Sequence, residues 1–579
     1  LIHVLLRLNW QDNFWNTGGH NDDTLIEVVV SGPFSNFNQL VPPGGSAMPL
    51  SSAASAFSLR ALSVLVLFSS VCGGAVPAFA QDVLTYHNSN ARTGVNNKET
   101  ILTTSNVNSA TFGKLFTLPA DGLVDAEPLY LSSVSVGGVV HNLVIVASEH
   151  GTVYAYDADT GANVWHVTTL KAGETTSDNR GCSQVTPEIG ITSTPAILRP
   201  KTGNPVVFVV AMSKDGSGKY HQRLHALDAT TGVEVRGGPV DIAATYPGTG
   251  DNSSGGNVIF DPGQYKERAG LLMVGNNLYL AWASHCDIRP YTGWIIGYNA
   301  TTLARTTALN LTPNGNEGAI WNSGAGMAAD GSGNILLLLA NGVFDTTLNA
   351  SGFPVNGDYG NAFLRVTAKG GLAVGDYFEM DNEASENGSD TDLGSGGTLL
   401  VSQRDSTGKV WQLAVGAGKD SNLYLVDRTN MGKFNSGSNN IYQELAGVLP
   451  GGVWSMPAFF NGFLYYGPVG SPLLAFQFKN AKLLTSAVAR TSNAFGYPGV
   501  TPSVSSNAGQ NAIVWAAENS NPAVLHAYTA KTLVELYNSN QAAGGRDHFG
   551  VGNKFITPMI ANGKVFVGTT NGVGVFGLL

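Results

Sequence analysis

The residue types able to do chemistry in this sequence are mostly acidic, and they lie far apart. Asp390 and Asp392 stand two apart in Asn387-Gly388-Ser389-Asp390-Thr391-Asp392. In such a polar loop carboxylates cap turns, take protons or hold a hard cation. Asn341 precedes Gly342 in a common turn dipeptide. Asp287 follows Cys286, and Lys419 opens the polar run Lys419-Asp420-Ser421-Asn422. Trp321 closes the small-residue stretch Gly318-Ala319-Ile320-Trp321 and offers a flat stacking face. His150, His285 and His548 show no metal-binding spacing. There is no Cys-x-x-Cys-His for a covalent c-type haem, and no Gly-x-Gly-x-x-Gly between a strand and a helix for a nicotinamide cofactor. Neither haem nor NAD is therefore expected.

Such scattered residues need a scaffold that gathers them. The chain has 579 residues, of which 43% are hydrophobic and only 12% charged. The average globular protein has about 25% charged residues, and a chain this apolar can bury a large core. Glycine occurs 72 times. The net charge of −10 argues against nucleic acid or an anionic lipid surface as the main partner. Few charges, many glycines and short Val/Leu/Tyr/Phe runs predict an all-β protein with many tight turns.

The first eighty residues read as something other than fold. Residues 1–47 contain no Met and no clean period. From Met48 the chain resembles a signal peptide, with Arg60, an apolar run over 61–71, and a small-x-small ending at Pro77-Ala78-Phe79-Ala80. That run is shorter than the ~20 residues a membrane span needs. The expectation is an upstream extension over 1–47, a signal peptide over 48–80 cleaved near Ala80, and one mature domain over 81–579. A periplasmic or secreted location follows. There a disulfide between Cys182 and Cys286 is chemically allowed, although sequence alone does not bring two cysteines within bonding reach.

The mature chain repeats. An apolar strand, a turn and a second strand lead into a small-aromatic-Asp-Ala-x-Thr-Gly turn. The pattern is clearest at Tyr154-Ala155-Tyr156-Asp157-Ala158-Asp159-Thr160-Gly161, followed by Trp165. Variants stand at Asp228-Ala229-Thr230-Thr231-Gly232 and Asn299-Ala300-Thr301-Thr302, with weaker copies onward to 573–577. Asp accepts backbone N–H bonds in such a turn, and Gly supplies the positive φ. A second marker is a Pro at the start of a strand, where its missing N–H is tolerated: Pro128, Pro195, Pro457, Pro502 and Pro558. About eight units result, each longer than the ~40–45 residues of a WD40 repeat, which predicts a β-propeller with insertions. The 565–577 strands should share a blade with an N-terminal segment.

The Ala-x-Asp-Ala-x-Thr-Gly-x-x-x-Trp turn resembles the tryptophan-docking repeat of the pyrroloquinoline quinone (PQQ) propeller superfamily, and the order of later segments is similar to that of the quinoprotein alcohol dehydrogenases. The resemblance covers residues from about Leu84 onward and implies an eight-bladed β-propeller. It implies cofactor contacts for Asp125, Cys182, Trp321 and Lys419. It implies a calcium site from Asp287, Asn341 and Asp390, and a catalytic carboxylate at Asp390 or Asp392. The vicinal Cys–Cys pair of that family is missing, because the matching stretch reads Arg180-Gly181-Cys182-Ser183.

The implied chemistry suits the residue types. Calcium takes carboxylate and amide oxygens, and polarises a carbonyl as a Lewis acid. A neighbouring carboxylate takes a proton, an indole stacks on a planar cofactor, and a Lys neutralises charge on a quinol. Two functions follow from the resemblance. One is a dehydrogenase using PQQ and calcium on an alcohol, polyol or sugar, with an external electron acceptor. The other is a non-catalytic propeller that binds a protein partner as a scaffold, since fold alone does not decide function.

Overall fold

The computed structural model describes residues 81–579. The expected extension over 1–47 and signal peptide over 48–80 lie outside the described residues. The described chain is an all-β, eight-bladed propeller, with eight sheets as blades and a ninth, small sheet set apart. That ninth sheet joins Thr245–Pro247, Ser253–Ser254 and Asn257–Ile259, and is one of the insertions that lengthen the repeat. Among the described residues no helix is long and apolar enough to cross a membrane.

Blade 1 shows how sequence becomes blade. Its strands Leu129–Val136, Val139–Ala147, Thr152–Asp157 and Asn163–Thr168 pair antiparallel in chain order. The turn after the third strand is organised by Asp157. Its Oδ1 accepts the N–H groups of Asp159 at 3.1 Å and Thr160 at 2.8 Å. Asp228 holds Thr230 in the same way. Trp165 then donates its indole N–H to Ala229 O of the next blade, at 2.9 Å. A Cβ on Gly232 would stand 2.7 Å from that indole, so the glycine of one blade's turn seats the tryptophan of its neighbour.

Apolar side chains fill every seam between blades. Phe208 and Leu224 of blade 2 meet Leu278 and Ile296 of blade 3. Leu336 and Leu338 of blade 4 meet Leu400 and Ala414 of blade 5. The last seam packs Phe566 and Val575 of blade 8 with Val144 and Ile145 of blade 1. Each such buried side chain contributes about 1.5–3 kcal/mol. The ring closes by strand pairing, because Phe112–Pro119 is the outer strand of blade 8 and hydrogen-bonds to Gly572–Leu578. Sharing a blade between distant parts of the chain leaves no open edge at the join.

The innermost strands of the blades are Leu129–Val136, Ala196–Leu198, Leu272–Val274, Ala328–Ala329, Leu399–Arg404, Ala458–Phe460, Ser503–Asn507 and Met559–Ala561. Residues 82–99 form a strap that visits all eight. Val83 pairs with Tyr130, and Leu84 O accepts Ile197 N–H. Asn90 bonds Met273 O with its side chain and Ala329 with its carbonyl. Ala91, Thr93 and Gly94 accept N–H bonds from Leu400, Phe459 and Val504, and the Asn96 side chain donates to Ile560 O. Every partner is the second residue of its strand, so the strap circles the bore at one level.

The strap also fills the bore. Arg92, fully buried, donates to Met327 O at 2.9 Å, Tyr86 O at 2.7 Å and Thr85 Oγ1 at 2.8 Å. Glu127 Oε2 accepts His87 N–H at 2.7 Å. Burial pushes Glu127 up to about 8 and His87 down to about 4. Gly326 makes room for the guanidinium, since a Cβ there would stand 2.5 Å from Arg92 Nη2. The axial channel is therefore plugged at this level.

Candidate functional site

A cavity of about 220 Å³ lies on the face where innermost strands begin and second strands end. Second strands deliver two of its key parts. Cys286 and Asp287 follow Asn277–Ala281 of blade 3, and Lys419 follows Val410–Ala417 of blade 5. Loops entering innermost strands deliver Trp321 before blade 4, and Asp390 and Asp392 before blade 5. All six of these side chains line the one cavity.

Lys419 and the two aspartates form its acidic centre. The ammonium stands 2.8 Å from Asp390 Oδ1 and 2.7 Å from Asp392 Oδ2. Asp390 is exposed at the mouth, whereas Asp392 is 5% exposed and also accepts Asn341 N–H at 2.7 Å. Burial raises Asp392 to about 6 against the pull of Lys419. Burial works against the charge of Lys419 in turn, but Asp392 and Asp390 outweigh it and lift its pKa. Glu317, beside this centre, is raised by burial and then by Asp287, with Asp392 adding to the repulsion. Cys286, Asp287, Glu317 and Asp390 all hold left-handed backbone, with φ between 51° and 62°.

The expected metal set is present in pieces. Asp287 Oδ1 accepts from Tyr291 OH at 2.7 Å and Ser284 OH at 2.9 Å. Asn341 lies behind the lining and donates to Asp390 Oδ1 at 2.9 Å, while its own Oδ1 is buried without a partner. Among the described residues no three His, Cys, Asp or Glu side chains gather closely enough to hold a metal alone. Asp390 and Asp392 share Lys419, Asp287 has only neutral hydroxyl donors, and Asn341 Oδ1 lacks a donor. This donor set fits a hard cation whose shell is completed by a bound ligand.

Two expected cofactor contacts stand outside the lining. Asp125 is not in the lining. It accepts from Asn553 at 3.2 Å, and its Oδ2 is buried without a partner. Cys182 also stands back, reaching the cavity through its bond to Cys286, with Cα atoms 5.5 Å apart. That disulfide spans 104 residues and ties the segment before blade 2 to blade 3. Replacing both cysteines by Ala should lower unfolding free energy by about 2–4 kcal/mol in non-reducing urea titrations. An unchanged midpoint would show that packing alone holds this corner.

Sequence reasoning missed Lys266, Arg268, Trp454, Tyr497 and Phe555, all on the cavity wall. Three of them obey one rule. Arg268, Trp454 and Phe555 each stand four residues before an innermost strand, at Leu272, Ala458 and Met559. Asp125 and Thr192 hold the same place before Leu129 and Ala196. Trp321 meets Phe555 edge to face, with centroids 6.3 Å apart, and Trp454 meets Tyr497 likewise at 6.1 Å. The cavity thus has aromatic sides, an acidic side with Lys419, and a deep basic end at Lys266 and Arg268.

No family model matches the chain, and no curated protein matches it. Solved structures do. The quinohaemoprotein alcohol dehydrogenase of Comamonas testosteroni superposes with a TM-score of 0.56 at 15% identity, over 86% of this chain and 80% of that one. The quinohaemoprotein alcohol dehydrogenase ADHIIG of Pseudomonas putida HK5 gives 0.55 at 13%, over 86% and 80%. A europium-containing methanol dehydrogenase gives 0.54 at 13%, over 85% and 90%. The chain has the eight-bladed β-propeller fold of the quinoprotein alcohol dehydrogenases.

Proposed function

We propose that the cavity holds PQQ with calcium, and that the protein is a dehydrogenase acting on an alcohol, polyol or sugar. The observation that carries this reading is the convergence of Asp287, Trp321, Asp390, Asp392 and Lys419 on one cavity from loops of three blades. A quinone bound there would supply the hydride acceptor for an alcohol, and a cation held beside it would make it more electrophilic. The remaining work falls to the chain. Asp392, buried and ionised above about pH 6, takes the hydroxyl proton. Lys419 holds negative charge beside it. Trp321 and Phe555 offer aromatic surface to a planar ring and keep water from that side. The sequence has no Cys-x-x-Cys-His, and the reading takes an external group as electron acceptor.

A periplasmic or secreted location suits the Cys182–Cys286 bond, since disulfides persist in oxidising compartments. Apoprotein incubated with PQQ and calcium should gain the absorbance of bound quinone. It should then reduce an artificial dye when given an alcohol or sugar. Folded protein that fails to bind PQQ would favour the scaffold reading, with a protein partner in place of a substrate.

A further inference from the structure

We propose that Lys266 and Arg268 form an anion subsite at the deep end of the cavity, built for a carboxylate of the bound ligand; this rests on the cavity being a ligand site. Both side chains line it, at 3% and 4% exposure. Their aim follows from local backbone. Lys266 and Ala283 exchange both backbone hydrogen bonds, at 3.0 and 2.9 Å, which holds this stretch extended. In extended chain, residues two apart point the same way. Lys266 and Arg268 therefore face inward together, and Glu267 between them is buried on the other side.

Neither cation is satisfied by the protein. Arg268 Nε and Nη1 are buried without a partner, and the guanidinium lies 4.5 Å over the Phe555 ring, which fixes its plane. Glu149 and Asp125 act on Lys266 only through space, with no hydrogen bond to it. Glu149 is itself held well above the usual carboxylate range, by burial and then by Asp125. The like charges that act against Lys266 are Arg268 and Lys554, with His285 also buried nearby and pushed down to about 3, mainly by burial. Burial and then Arg268 lower Lys266 to about 7. Two desolvated donors with no acceptor are costly unless a ligand supplies one. A carboxylate matches the planar fork of Arg268 and restores the charge of Lys266. Asp287, Asp390 and Asp392 repel an anion from the other side, so the ligand is oriented with its carboxylate inward.

Calorimetric titration of the apoprotein tests this, with PQQ and with benzene-1,3,5-tricarboxylate as probes, in phosphate and in Tris buffer. Binding should take up about half a proton at pH 7, rising toward one at pH 8 and vanishing below pH 6. Lys266→Met should weaken binding about 10- to 100-fold and abolish the uptake. Lys266→Arg should keep affinity within a few-fold yet also abolish the uptake, which a merely structural role would not do. Equal affinity of wild type, Lys266→Met and Arg268→Met for bound PQQ would overturn the subsite and leave the quinone reading standing. Lys266-dependent binding of the tricarboxylate without any binding of PQQ would support the subsite and sink the quinone reading. Binding of neither probe overturns the subsite.

Discussion

Asp392→Asn should lower kcat by about 10²- to 10⁴-fold while changing PQQ affinity only a few-fold, because a positioned base contributes that much to proton removal. Asn keeps the shape and the bond from Asn341 N–H, but cannot take a proton. On the proposed dehydrogenase reading, wild-type activity should rise as pH passes through about 6, where Asp392 ionises. That limb should disappear from the residual activity of the variant. Asp390→Asn is the informative contrast: its side chain is 68% exposed, and its loss should cost far less. Stopped-flow reduction of the bound quinone separates the two, and equal losses would mean that Lys419, not Asp392, is what both substitutions disturb.

Arg92→Met should lower unfolding free energy by about 3–5 kcal/mol in urea titrations, the largest loss expected of any single substitution away from the cavity. Met fills much of the same volume, so the cost comes from polar groups. Met327 O and Tyr86 O lose their charged donor, and Glu127 loses the one cation beside it. Gly326→Ala should act in the same direction by crowding the guanidinium. A variant as stable as wild type would show that the plug adds nothing to the ring.

Much of the fold was legible because each blade repeats its own signals. Asp157, Asp228 and Asn299 organise turns by local hydrogen bonds, and Pro128, Pro195 and Pro457 mark where innermost strands begin. Local chemistry of this kind can be read residue by residue. The acidic half of the cavity was legible through resemblance, as Trp321, Asp390, Asp392 and Lys419 show. The basic half was not. Lys266 and Arg268 look like an ordinary surface run in Lys266-Glu267-Arg268, and only the bridge to Ala283 turns both inward. Asp125 stands four residues before blade 1, a place equivalent to a lining one, yet it lies outside the lining and takes a bond from Asn553 instead. The partner of a charge depends on which blades meet, which the periodicity of one blade does not contain.

The strap changes what kind of folding reaction this repeat protein can have. Stacked repeats touch only their neighbours, so order can start anywhere and spread. Here the chain's described start reaches across hundreds of residues: Tyr86 bonds Thr557 at a separation of 471, and Asn96 bonds Ile560 at 464. Closing loops of that length is entropically slow, and proteins dominated by such contacts fold late and cooperatively. The strap emerges early from synthesis but has no complete set of partners until blade 8 exists. It is thus made before the blades and bound only when they are complete, and once bound it makes the loss of any one blade a loss to all eight.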